Sequence, residues 1–280
     1  IAGSIPAVDL VGPQMKRLLE NPDLVVKPRD QWPASFRKTK MFISRPEWEL
    51  VGLELVRRKI FRPIEADKLI KHNGKVLLNS IFGVSKGKEI WSDKKQQMVE
   101  ILRLIINLTP SNELQEVLDS DIGTLPHFAQ WCAIELGLDE ILVWGSEDVS
   151  CCFYVFELPE SWGPWFTIEW PLDPTLWGGA PGKPQHVCLN VIPMGWISAV
   201  TVCQRSLRSL NVIPRPLGCG LPSASELRKD RSFPTDAYHK IKSFFQQFVD
   251  NWDAGTIERW ETLYNEDPIE LKEWQAGVAE

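Results

Sequence analysis

The sequence predicts an α+β fold. Three observations lead there. Strand-like and helix-like segments alternate irregularly along the 280 residues, with no internal repeat. Residues 75–108 read as two strands flanking a polar loop, an antiparallel hairpin with a basic tip. The length and the 44% apolar content are enough to bury a sizeable core.

Taken in order, residues 1–35 are Pro-rich and weakly periodic, and read as an arm or linker. Ser44-Arg-Pro-Glu-Trp48 then opens a helix. Ser44 is the candidate N-cap, and Pro46 sits in the first turn, where a missing N–H costs little. Trp48, Val51, Leu55 and Ile60 follow at helical spacing, and Arg57, Arg58, Lys59 and Arg62 close the segment. Lys75 to Val84 is strand-like, Ser85-Lys-Gly-Lys-Glu89 is the polar loop, and Ile101 to Leu108 returns. Residues 126–136 read as a helix with Phe128, Trp131, Cys132 and Leu136 on one side. A strand runs from Ile141 to Asp148 and another from Val187 to Ile192. Pro193-Met-Gly breaks the latter before a helix through Ala199, Val202, Cys203 and Leu207. Residues 211–235 are rich in Pro, Gly and Ser and look inserted, and Phe244 to Asp250 reads as a last strand.

No run of about 18 apolar residues exists, so no membrane-spanning helix is expected. The chain starts at Ile1 without a charged-then-apolar leader, and reads as a piece of something longer or a processed product. Six Cys form no CxxC pair and the His do not flank them at ligand spacing, which predicts reduced thiols in an intracellular protein, cytoplasmic or nuclear. Net charge is −6, but it is unevenly spread. Phe36 to Arg103 holds sixteen Lys/Arg against eight Asp/Glu, whereas Leu104 to Val200 holds Lys183 alone against thirteen acids. Either these are two solvated surfaces of opposite sign, or one region holds a phosphate backbone and the other holds cations.

Three segments carry candidate chemistry. Asp148 ends an apolar strand, where a carboxylate serves as a turn former or as a ligand for a hard cation. Val191-Ile-Pro-Met-Gly-Trp-Ile-Ser is a strand-to-helix turn whose Gly permits close backbone approach. Phe248-Val-Asp-Asn suits a tight hairpin turn, and its Asp250 would make a second acidic group if the two strands meet.

In this order the segments resemble the palm motifs of retroelement reverse transcriptases. Asp148 with Phe153 and Tyr154 matches that family's metal-binding Asp followed five residues on by two aromatics. Pro193, Gly195, Trp196 and Gln204 are similar to its Pro-x-Gly-aromatic segment with a later Gln. Phe248-Val-Asp250-Asn251 resembles its Tyr-x-Asp-Asp hairpin, and Arg103, Asn107 and Asn112 fall at the marked places of its fingers strand. The resemblance covers roughly residues 55–255.

It implies a right-hand polymerase fold, with a basic fingers hairpin and an antiparallel palm sheet packed on helices. Residues 36–125 would be fingers-like and 126–280 palm-like, cut before the thumb. It implies RNA-directed DNA polymerase activity on an RNA or DNA template-primer with dNTP. Asp148, Asp250 and the Val149 carbonyl would hold Mg²⁺ or Mn²⁺, and Asn251 would complete the catalytic turn. Arg103 would clamp the triphosphate, assisted by Lys86 and Lys88 at the fingertip. Phe153 would exclude a ribose 2′-hydroxyl. Met194, Gly195 and Trp196 would line the nucleotide pocket, and Gln204 would contact the template or support that wall.

The departures from the pattern are specific. Asn251 replaces the second Asp of the hairpin, Asn107 replaces an Asp, and Thr109 a basic residue. Residues 204–248 are longer than the family's equivalent, and only 27 residues follow Asp253, so the thumb and RNase H parts of a polyprotein are expected to be missing. The alternatives are a catalytically inactive, decayed or repurposed polymerase fold that binds nucleic acid or a partner, and an unrelated α+β enzyme.

Overall fold

The computed structural model describes residues 2–118, 121–216, 218–235, 241 and 243–259. It is a mixture of helices and small, mostly antiparallel sheets, as an α+β chain should be. In chain order the elements are β1 (Ile5–Pro6), α1 (Pro13–Glu20), α2 (Arg45–Arg57), β2 (Phe61–Pro63), β3 (Lys71–His72), β4 (Lys75–Val76), β5 (Ser80–Ser92), β6 (Gln97–Asn107) and α3 (Thr109–Asn112). Then come β7 (Glu140–Asp148), α4 (Cys152–Val155), β8 (Phe156–Glu157), β9 (Val187–Leu189), α5 (Ala199–Val212), β10 (Ser243–Phe248) and β11 (Asn251–Arg259). They fall into two compact units, Ile1–Leu118 with Phe153–Ala199, and Asp119–Cys152 with Val200–Glu280. No described helix is long and apolar enough to cross a membrane.

In the first unit, α2 starts as its sequence dictates. The Ser44 hydroxyl accepts from the Glu47 N–H at 3.4 Å, and the Glu47 carboxylate accepts from the Ser44 N–H at 3.1 Å, a reciprocal capping box. Trp48 and Leu55 are buried on its inner face. The chain then enters β2, which pairs antiparallel with β9. Residues 1–35 are not a loose arm. Ala7, Val11 and Leu19 are buried, the Leu19 carbonyl accepts from the Trp162 indole at 2.7 Å, and Lys27 N–H donates to the Leu114 carbonyl. Their apolar residues are few and irregularly spaced, yet Ala7, Leu10, Val11, Met15, Leu19 and Val25 find slots in the core of the unit.

The long ribbon β5–β6 pairs from Ser80↔Asn107 to Ser92↔Gln97. Its expected turn lies elsewhere. Ser85 to Glu89 is an irregularity inside β5, with Gly87 at φ 63°, and the chain reverses at Asp93–Gln96 instead. The pairs Ile90↔Val99 and Trp91↔Met98 extend the ladder beyond the polar stretch, because β-branched and aromatic cross-strand pairs outweigh a Lys-Gly-Lys interruption. The tip remains basic through Lys94 and Lys95, but Lys86 and Lys88 lie in the strand and not at the tip.

The second unit holds an antiparallel sheet in the order β10-β11-β7. The expected helix over 126–136 is only a 3₁₀ segment, Phe128–Ala133. Phe128, Cys132 and Leu136 are exposed, and only Trp131 packs, edge-on to Trp144 and Phe244. Phe244–Asp250 is not the last strand, since β11 follows and takes the central place. The Pro-, Gly- and Ser-rich stretch folds back on the unit. Cys219 N–H donates to the Leu210 carbonyl, Leu221 N–H to the Asn211 carbonyl, and Glu226 bridges Phe245 in parallel. That bridge covers the outer edge of β10, which would otherwise offer unpaired N–H and C=O groups. Arg208 on α5 fastens it, with Asp121 at 2.7 Å and Glu226 at 2.6 Å.

Candidate active site

The sheet of the second unit brings two acidic positions to one end. Strand β7 finishes at Asp148 and β11 starts at Asn251, and these two residues are Cα partners. The ladder continues one step further, where Val149 N–H donates to the Asp250 carbonyl at 2.8 Å. Asp148 and Asp250 are therefore neighbours on adjacent strand ends, Asp148 exposed and Asp250 half-buried. Asn251 is exposed beside them, its amide 3.4 Å from the Asp250 carboxylate. The Val149 carbonyl is engaged by Cys152 N–H at 3.2 Å, with one lone pair left over.

The turn that presents Asp250 is strained and held. Val249 has φ 55°, a left-handed conformation that costs a β-branched residue about 1–3 kcal/mol. Three buried amides hold it in place. The Gln204 side chain accepts from Val249 N–H at 2.7 Å and donates to the Gln247 carbonyl at 2.7 Å. Gln247 donates to the Val249 carbonyl at 2.8 Å and to the Asn251 carbonyl at 3.1 Å. Asn211 donates to the Gln247 side-chain carbonyl at 2.9 Å. Gln204 is 1% exposed, so it is a support of the turn and cannot reach a template strand. Gln247 and Asn211 escaped the sequence reading. A Gln alternating with Phe in a strand, and an Asn near a helix end, look like surface residues.

Behind this turn lie two buried thiols, Cys152 and Cys203, with sulfurs 2.9 Å apart. The hydrogen bond with Cys152 and burial push the Cys203 thiol far above its ordinary range, and the Asp250 charge adds to this. Cys203 stays a neutral thiol and is no anionic ligand. Among the described residues, no group of three or more His, Cys, Asp or Glu side chains could hold a metal ion. The oxygen donors gathered at this strand end are the Asp148 carboxylate, the spare lone pair of the Val149 carbonyl and, one register step away, the Asp250 carboxylate. Oxygen donors are the type that magnesium or manganese takes.

The other expected site residues belong to the first unit. Arg103 is exposed on β6 opposite Val84, and Lys86 is exposed within β5. Phe153 is half-buried in the single turn α4. Met194 is half-buried and Gly195 exposed. Gly195 has φ 105°, and a Cβ there would overlap the Ile106 carbonyl oxygen, so only Gly fits. Asn112 holds this turn from both sides, donating to the Gly195 carbonyl at 2.8 Å and accepting from Ile197 N–H at 3.0 Å. Trp196 is part of the core of its unit. It is 4% exposed, packs against Trp162 and Phe166, and donates to Gln115 at 2.6 Å. Asn107 makes a local turn, its side-chain oxygen accepting from the N–H and hydroxyl of Thr109.

No model of a known protein family matches the chain, and no curated protein matches it.

Proposed function

We infer that this chain is the fingers-and-palm part of a reverse-transcriptase-like polymerase, whose reaction is nucleotidyl transfer from dNTP to a primer 3′-hydroxyl. The observation that carries this reading is the juxtaposition of Asp148 and Asp250 on adjacent strand ends, on a turn locked by buried amides. A strained turn held by two buried side chains, one of them braced by a third, is a large structural investment for an ordinary loop, and strain of this kind gathers at functional sites. On this reading Asp148 and Asp250 hold Mg²⁺ or Mn²⁺ with the Val149 carbonyl. The bound metal supplies charge neutralisation at the attacking and leaving oxygens. Arg103 binds triphosphate oxygens through its planar guanidinium. Phe153 bars a 2′-hydroxyl by its bulk, and the Met194–Gly195 backbone bounds the nucleotide pocket. The template-primer and the rest of a polyprotein are the partners this reading requires.

A specific observation favours a second reading, a polymerase fold without turnover that binds nucleic acid. Asn251 places a neutral amide against Asp250 where the family motif has a carboxylate. One experiment separates the two. The chain is assayed for Mg²⁺- or Mn²⁺-dependent primer extension, as it stands and as Asp148→Asn, Asp250→Asn and Asn251→Asp. Extension that falls at least about 100-fold in both Asp variants supports an active polymerase. Extension that arises only in Asn251→Asp supports a decayed one. Extension indifferent to Asp148 and Asp250 overturns the polymerase reading, and extension absent from every variant with a thumb domain restored overturns its active form.

A further inference from the structure

The geometry points to a nucleoside-phosphate site on the first unit, in a cleft of about 450 Å³ between the 23–32 segment and Pro164–Trp165. This inference stands without the polymerase reading, because the cleft shares no residue with the proposed nucleotidyl-transfer site. Its volume lies within the roughly 300–1,000 Å³ of small-molecule sites.

The lining of the cleft is part charged and part apolar. Lys27 and Arg29 supply the free charge of its lining, and among the described residues neither forms an ion pair with a carboxylate. Lys27 is held by a neutral group, its ammonium donating to the Glu113 carbonyl at 3.1 Å. Arg29 lies over the Trp32 ring, its guanidinium carbon 4.9 Å from the ring centroid. One of its N–H groups reaches the Lys71 carbonyl at 3.5 Å, and the others are left for a planar or tetrahedral anion. Lys68, also in the lining, is committed to Glu65 and Glu160, each at 3.5 Å. The anion therefore belongs with Lys27 and Arg29.

The segment is built before any ligand arrives. Trp32 donates from its indole to the Lys27 carbonyl at 2.8 Å, closing the loop on itself, and Trp32 meets Trp165 edge-on at 5.9 Å. Ile70 and Pro164 complete the apolar wall. A bare anion would leave the half-buried Ile70 and Pro164 against water, and a neutral hydrophobe would leave two cations without a counter-charge. Asp23, also in the lining, would repel a free anion but accepts hydrogen bonds from sugar hydroxyls or an exocyclic amine. One acid and two cations in one lining select a ligand that carries both hydrogen-bond donors and a phosphate. A free nucleotide and the 5′-phosphorylated end of a nucleic acid share this chemistry.

The test is titration calorimetry of the full chain with AMP and, separately, with a 5′-phosphorylated trinucleotide. Lys27→Gln, Arg29→Gln and Asp23→Asn are titrated alongside, and Lys94→Gln, at the ribbon tip, reports nonspecific charge effects. The expected result is saturable binding, weakened at least 10-fold by Lys27→Gln and by Arg29→Gln, weakened less by Asp23→Asn, and unchanged by Lys94→Gln, with unfolding midpoints preserved. AMP binding as tightly as the trinucleotide identifies a free nucleotide as the ligand. Binding of the trinucleotide alone identifies a chain end. If neither ligand binds, if adenosine binds as tightly as AMP, or if all variants including Lys94→Gln lose binding equally, the site is overturned. Asp250→Asn should leave AMP binding intact, so a failed polymerase and a failed cleft give different results.

Discussion

Two hairpins of this chain solve the same problem differently. The β5–β6 ribbon runs out from Ser80 and Asn107 to a four-residue reversal, and beyond Ile81 and Ile106 most of its side chains are exposed. Its distal half rests on cross-strand pairs such as Trp91↔Met98. The β10–β11 hairpin is flanked by β7 on one side and by the Glu226 bridge on the other, and its turn is gripped by Gln204 and Gln247. A turn supported only by its own ladder can drift at little cost. A turn whose N–H and C=O groups are bound by buried amides keeps its shape, and that is the turn carrying Asp250.

The most severe way to break the contrast is Gln204→Ala. It strands Val249 N–H and the Gln247 carbonyl, and each buried unpaired group costs about 1–3 kcal/mol. Urea unfolding should show a loss of about 3 kcal/mol. A loss under about 1 kcal/mol would mean that water replaces the clamp. Gly255→Ala comes next. A Cβ there would lie 2.5 Å from the ring of its cross-strand partner Phe244, and overpacking of this kind costs about 1–3 kcal/mol. The same unfolding series should place it near 2 kcal/mol. Val249→Gly should act in the opposite direction. It relieves the lower part of the left-handed strain, about 1–2 kcal/mol, and returns about 0.5–1 to chain flexibility, a net gain of at most about 1.5 kcal/mol. A destabilised Val249→Gly would show that the side chain packs more than the backbone strains. The ribbon supplies the mildest case. Trp91→Ala removes one exposed pair and should cost no more than about 1 kcal/mol, read by thermal melting.

Parts of this arrangement were legible in the sequence. Ser44 with Glu47 announced the helix start, and the apolar run from Ile141 ended at Asp148 as the strand does. Both are local signals, decided within a few residues. Strand β11 gave no such signal. Asn-Trp-Asp-Ala-Gly-Thr-Ile-Glu-Arg lacks clean alternation, and its strand state comes from having β10 and β7 to bond on both sides. Gly255, which reads as a strand breaker, is needed there to admit the Phe244 ring. The acidic pair was legible as two separate strand ends, and their adjacency came from the register of a strand the sequence hid. Trp196 was misjudged for a related reason. An aromatic beside a Gly turn looks like a pocket wall, yet Trp162, Phe166 and Gln115 claim it from distant parts of the chain.

The Gln204 amide impersonates a piece of main chain. It offers the turn one acceptor and one donor at the places where another strand would offer a C=O and an N–H. That substitution of side chain for backbone carries a polarity. Glu has nearly the same volume and reach, but it would set a second lone pair against the Gln247 carbonyl, and the grip would become a repulsion on one side. The position therefore reads donor from acceptor as strictly as a base pair does, and a one-atom exchange at residue 204 would be felt at the tip of the hairpin.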